Sequence, residues 1–148
     1  MLLGEYHLSL DEKGRLSVPA AWRHTLRELY APDDTVLVVT KYFEQCLVAY
    51  PKVVWLEIQE QLLALRNDAS TRAFLRQFCA SANVCHVDRQ GRILLPPKLR
   101  HYAGIESEAL LIGVVKKFEL WAPERWHTYE ASESARFDSH ARLLELRL

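Results

Sequence analysis

Between His7 and Val18 polar and apolar residues alternate. Leu8, Leu10, Leu16 and Val18 fall in one phase, and His7, Ser9, Arg15 and Ser17 in the other. A period of two is that of a half-buried strand. The alternation breaks at Asp11-Glu12-Lys13-Gly14. An Asp carboxylate bonds backbone N–H groups further along a turn, and Gly tolerates positive φ, so the predicted unit is strand, tight turn, strand. Pro19 suits the first position of a helix, where its missing N–H costs nothing. Ala20 to Leu29 then places Trp22, Leu26 and Leu29 on one helical face. Ala31-Pro32-Asp33-Asp34 breaks that helix, Thr35 to Thr40 and Cys46 to Tyr50 read as strands, and Pro51 ends the unit.

The same grammar returns 77 positions later. Asp11, Gly14, Arg15, Pro19 and Arg23 match Asp88, Gly91, Arg92, Pro96 and Arg100 in register. Five specialised residues at one fixed offset indicate duplication of a small unit, which must be recognised before the fold is read. In the second copy Cys85, Val87, Ile93 and Leu95 are the inward strand positions around the turn Asp88-Arg89-Gln90-Gly91. Pro96 or Pro97 opens a helix through Tyr102. Ala103-Gly104-Ile105 closes it, with Gly104 as C-terminal cap. Leu110 to Val115 and Phe118 to Trp121 are predicted strands, ended by Pro123.

Each copy is followed by helical spacing. Val54, Ile58, Leu62 and Leu65 form one stripe, Asn67-Asp68 interrupts it, and Thr71 to Ala80 continues with Phe74, Leu75 and Phe78. Glu124 to Glu133 and Ala135 to Leu148 are also predicted helices. The organisation expected is a first repeat over 5–52, connecting helices over 53–81, a second repeat over 82–125 and a helical segment over 126–148. A unit of roughly 45 residues exposes too much surface to bury its own apolar face, so the halves should share one core.

Composition narrows the classes. The 148 residues are 49% hydrophobic and 26% charged, as in a globular protein. No apolar stretch approaches the roughly 20 residues that span a bilayer. Met1-Leu2-Leu3-Gly4-Glu5 lacks a basic region followed by an apolar core, which makes the cytoplasm the expected location. Cys46, Cys79 and Cys85 are an odd number, expected to be free and buried. Cys79, Cys85 and His86 match no usual zinc spacing, so no metal is expected. Asp11 and Asp88 have no nucleophile, His partner or phosphate loop at a workable spacing, which argues against an enzyme, a cofactor or a small-molecule substrate.

Arg15 and Arg92 follow the turn glycines directly. A guanidinium fork there fits a phosphate, or the O6 and N7 of guanine, and equally an ion pair with the Asp four residues back. Lys13 and Arg89 put one more positive charge on each turn, or are simply solvated. Arg23 and Arg100 read first as structural or subunit-interface residues, and Trp55, Trp121 and Trp126 as core or interface anchors. Net charge is zero, with 19 basic and 19 acidic residues. A basic face is the usual footprint of nucleic-acid binding, so any such binding must be local and weak per subunit, strengthened by several subunits acting together.

The paired Asp-x-x-Gly-Arg-[Leu/Ile]-x-[Val/Leu]-Pro phrase, each copy with an Arg four positions later, resembles the MraZ proteins. These are bacterial relatives of the AbrB and antitoxin type of DNA-binding domain. The likeness takes in Gly4, Cys46-Leu47, Tyr50-Pro51, Ala103-Gly104-Ile105 and Phe118-Glu119-Leu120-Trp121. The resemblance implies a mixed α/β, β-dominated fold: a double-split β-barrel with swapped hairpins, made by two pseudo-symmetric repeats and flanked by helices. It implies a ring-like homo-oligomer that binds short direct repeats in double-stranded promoter DNA, ahead of a division and cell-wall gene cluster, and so a nucleoid-associated repressor. Its Asp-x-x-x-Arg signature falls on Asp11 with Arg15 and Asp88 with Arg92. Lys13 matches the basic turn residue, whereas the equivalent position in the second repeat is the neutral Gln90. The alternative is an antitoxin-like module that binds a protein partner. Two units and the apolar end Leu143, Leu144, Leu146 and Leu148 favour self-assembly instead.

Overall fold

The computed structural model describes residues 1–29 and 35–148. The helix break expected at Ala31 to Asp34 lies outside them. Along the chain run β1 (Glu5–Ser9), β2 (Arg15–Ser17), α1 (Ala20–Leu29), β3 (Val36–Lys41), β4 (Leu47–Pro51), α2 (Lys52–Leu63), α3 (Ala69–Ala80), β5 (Asn83–His86), β6 (Arg92–Leu94), α4 (Pro97–Ala103), β7 (Glu108–Val114), β8 (Lys117–Trp121), α5 (Pro123–Glu133) and α6 (Phe137–Leu143). The molecule is mixed α/β and rich in strands. No helix among the described residues is long and apolar enough to cross a membrane.

Six strands form one antiparallel sheet in the order β1-β7-β8-β4-β3-β5, and β2 pairs with β6 in a separate two-stranded ladder. Exchange the repeats and the order reads the same backwards. Each repeat lends a strand to the other: β1 pairs with β7 of the second half, and β5 pairs with β3 of the first. The halves meet at β4–β8, through Leu47↔Leu120, Val48↔Glu119 and Ala49↔Phe118. The large sheet has β1 and β5 at its edges, and closure into the implied barrel is not seen among the described residues; β2 and β6 pair with each other, and Leu16 and Ile93 of that ladder join the core of the sheet.

Both faces of the sheet are covered, which is why β3 and β4 read as near-continuous apolar runs. Odd positions Leu37, Val39, Leu47 and Ala49 join the main core with Leu16, Ile93, Trp22 and Leu99. Trp22 anchors that core between Tyr6 and Phe118, with ring centroids 5.0 Å away on each side. On the opposite face Val48 and Tyr50 pack with Val54 of α2 and Phe78 of α3. Cys46, Leu110 and Trp121 meet Trp126 and Tyr129 of α5. Thr40 is the buried polar residue of β3, satisfied by donating to Phe78 O at 2.6 Å.

Several elements differ from expectation. Helix α1 begins at Ala20, with Pro19 just outside it. Helix α3 begins at Ala69, because the Asp68 carboxylate caps it by accepting from Thr71 N at 2.8 Å. The last helix was expected over Ala135 to Leu148. Ser134–Arg136 is instead a 3-10 turn, and α6 ends at Leu143. Leu143, Leu144 and Leu148 stay exposed, so no packing holds a further helical turn. Cys46 and Cys85 are buried free thiols, but Cys79 is exposed on α3.

Candidate nucleic-acid interface

The turn between β1 and β2 is built by one carboxylate. Asp11 Oδ1 accepts from the backbone N–H of Lys13 and of Arg15, each at 2.9 Å, and Oδ2 accepts from Arg15 Nε at 2.7 Å. The Arg15 backbone N–H is the largest influence on this acid. With the Arg15 side chain and the Lys13 N–H, it holds the Asp11 carboxyl down to about 2 from 3.8. The second turn repeats the scheme. Asp88 Oδ1 accepts from Gln90 N and Arg92 N at 2.9 Å, and Oδ2 from Arg92 Nε at 3.0 Å. Its carboxyl is lowered by the same backbone contact, here from Arg92. Both carboxylates are thus occupied in shaping their turns.

Pairing of β2 with β6 brings the two turns together. Leu16 lies opposite Ile93, its own equivalent 77 positions on, so the pseudo-twofold axis passes through that pair. Arg15 faces Leu94 and Ser17 faces Arg92, which sets the two arginines diagonally on the outer face of the ladder. The Arg92 Nη1 is 4.0 Å from Asp11 Oδ2, so the Arg92 guanidinium sits close to the first turn as well as its own. Their side chains are 32% and 29% exposed, which leaves them accessible from solvent. Arg carries five N–H donors. Nε is spent on the aspartate in each case, and the terminal nitrogens make no hydrogen bond among the described residues, Arg92 Nη1 having only the 4.0 Å ion pair with Asp11. Lys13 and Arg89 stand exposed at the two tips.

Two further arginines belong to this structure in a way that helical spacing did not reveal. Gly14, at φ 85°, lies under the Arg100 guanidinium of α4, where a Cβ would come within 2.8 Å of it. Gly91, at φ 80°, lies against the Arg23 side chain of α1 in the same manner. Each half therefore clamps the turn of the other. Reciprocal backbone bonds complete the clamp, with Val18 N donating to Gly91 O at 2.8 Å and Leu95 N to Gly14 O at 3.0 Å. Arg100 Nε donates to Leu95 O at 3.1 Å. Arg23 Nε is buried without a partner among the described residues.

Across the tips, Lys13, Arg15, Arg89 and Arg92 meet Asp11, Glu12 and Asp88, a balance of +1 that Arg23 and Arg100 raise to +3. The site is thus modestly basic within a neutral chain. Among the described residues, no three His, Cys, Asp or Glu gather where they could hold a metal ion. Burial pushes the Cys85 thiol up to about 11, so it stays a neutral core group.

Sequence comparison agrees with the duplication. The family described as "MraZ protein, putative antitoxin-like" matches twice, over residues 1–77 and 78–147. A protein named transcriptional regulator MraZ from Desulforamulus reducens is 40% identical over 142 residues, covering 95% of both chains. Its namesake from Moorella thermoacetica is 39% identical over 142 residues, covering 95% of this chain and 94% of its own. That from Lactiplantibacillus plantarum is 40% identical over 144 residues, covering 95% and 96%. Paired Asp–Arg turns on a pseudo-twofold axis and likeness across nearly the whole length thus meet in one conclusion: the chain belongs to the MraZ family, a family of transcriptional regulators rather than of enzymes.

Proposed function

We propose that this protein is a sequence-specific regulator that grips double-stranded DNA with its paired turns. Arg15 and Arg92, with Lys13 and Arg89, supply the contacts. Asp11, Gly14, Asp88 and Gly91 hold the turns in shape. The observation that carries this reading is the placement of Arg15 and Arg92 side by side at the surface, with Nε anchored and the terminal nitrogens making no hydrogen bond among the described residues. An anchored guanidinium loses little freedom on meeting a phosphate or a guanine edge. In this reading the repeats over 5–52 and 82–125 form a double-split barrel in which the β2–β6 ladder bridges the large sheet, and 53–81 and 126–148 serve connection and assembly.

A balance of only +3 gives few phosphate contacts per subunit, and so weak, salt-sensitive binding. A ring-like assembly of several copies on successive direct repeats raises the apparent affinity without any new kind of contact. Phe137, Leu143, Leu144 and Leu148 are 67–98% exposed and offer apolar surface for it. The target is a promoter ahead of the division and cell-wall cluster that holds the protein's own gene, and the effect is repression in the nucleoid. The test is DNA binding by fluorescence anisotropy with the chain's own upstream duplex. Arg15→Ala and Arg92→Ala should each weaken binding and lower the salt slope by about one. The larger loss is expected for Arg15→Ala, whose turn has Lys13 where the second turn has the neutral Gln90, Arg89 standing one position earlier. Equal binding by all three proteins removes the site.

A further inference from the structure

Basic side chains also gather away from the tips. An open groove of about 670 Å³ lies between α3, α4 and the end of β3. Among the described residues, Lys41, Arg76, Lys98 and His101 line it and no Asp or Glu does, which leaves a locally positive field. Low-dielectric walls concentrate such a field on whatever enters.

The groove is also built. Lys41 Nζ donates to Gln77 Oε1 at 3.1 Å and stands 5.0 Å from the centroid of the Tyr102 ring. Both contacts fix the ammonium, and neither neutralises it. Arg76 and Lys98 enter no ion pair among the described residues. Neighbouring amide and hydroxyl groups are satisfied internally, with Ser81 Oγ donating to Gln77 O at 2.7 Å and Asn83 Nδ2 to Ser81 O at 2.9 Å. The uncompensated chemistry of the groove is therefore positive charge on three long side chains.

We propose that this groove is a phosphate-binding site. Its phosphate comes either from the backbone of DNA held at the tips or from a free phosphorylated small molecule. The first source rests on the function proposed above. Helix α4 links the two places, since Arg100 lies over Gly14 of the first tip while Lys98 and His101 face the groove. A helix is about 10–12 Å across, well inside a single duplex turn of about 34 Å. The position equivalent to Lys98 on α1 is Ala21, 77 residues earlier, so the first repeat has no twin of this lysine.

The experiment compares the full-length protein with an Arg76→Gln/Lys98→Gln double variant and with Arg15→Ala. Both exchanged side chains are exposed and lie outside the core, and an unchanged melting temperature checks the fold. Two titrations are run on each protein: inorganic pyrophosphate by calorimetry, and the upstream duplex by anisotropy from about 50 to 200 mM salt. Loss of DNA affinity in the double variant, with a log–log salt slope shallower by about 1.8, assigns the groove to backbone phosphate. Loss of pyrophosphate binding with DNA affinity intact assigns it to a free anion. Both titrations unchanged in the double variant overturn the proposal. DNA binding that is unchanged in Arg15→Ala counts against the tip reading alone and leaves the pyrophosphate arm to decide the groove.

Discussion

A glycine at each tip is pinned beneath an arginine from the opposite half, and this makes the turns sensitive to single atoms. Gly14 and Gly91 have φ of 85° and 80°, a region that costs an L-residue about 1–2 kcal/mol. The arginine adds a steric demand, so Gly14→Ala should lower stability by about 1–2 kcal/mol or more, read as a fall in melting temperature of about 2–4 °C per kcal/mol. Asp11 supplies a second test. Its folded pKa of about 2 lies below its ordinary 3.8, so its contribution is complete above the ordinary value and is lost as pH falls through the folded one. Melting temperature should therefore drop between about pH 4 and pH 2, and Asp11→Asn should flatten that part of the profile. The Asp and Gly of each turn were legible because local bonds and backbone sterics dictate them. The clamps by Arg23 and Arg100 were not, because their spacing along a helix carries no trace of a turn in the opposite repeat.

Elements show the same division between local and distant information. Period-two alternation marked β1, β2, β5 and β6 as strands, but it is silent on which strand pairs with which. A strand can present the same face to either repeat, and only the three-dimensional arrangement places β1 on β7 and β5 on β3. A chain ending at residue 77 retains β1 to β4 but lacks β5, β6, β7 and β8. It cannot become a folded monomer. The expected result is either a disordered chain or a homodimer in which two copies supply each other's missing strands, separable by circular dichroism with analytical ultracentrifugation. A folded monomer of that length would contradict the swapped pairing. The early end of α6 has a related cause: an apolar stripe predicts a helix only where something covers it, and Leu143 and Leu144 remain 81% and 67% exposed.

At the scale of the whole molecule, stability and association are separable. The sheet and its three cores involve residues up to Tyr129, whereas the segment from Ser134 onward contributes no buried residue. Removing residues 134–148 should leave the melting temperature nearly unchanged and lower the mass of the assembly measured by sedimentation. It should also weaken DNA binding in proportion to the copies lost. An unchanged mass would place self-association on another surface. The pseudo-twofold axis through Leu16 and Ile93 has one more effect. A gripping surface of perfect internal symmetry would accept a duplex equally well turned end for end. Lys13 at one tip and the neutral Gln90 at the other break that tie. On the binding mode proposed above, each subunit would carry an arrow, and neighbours on direct repeats would all point the same way.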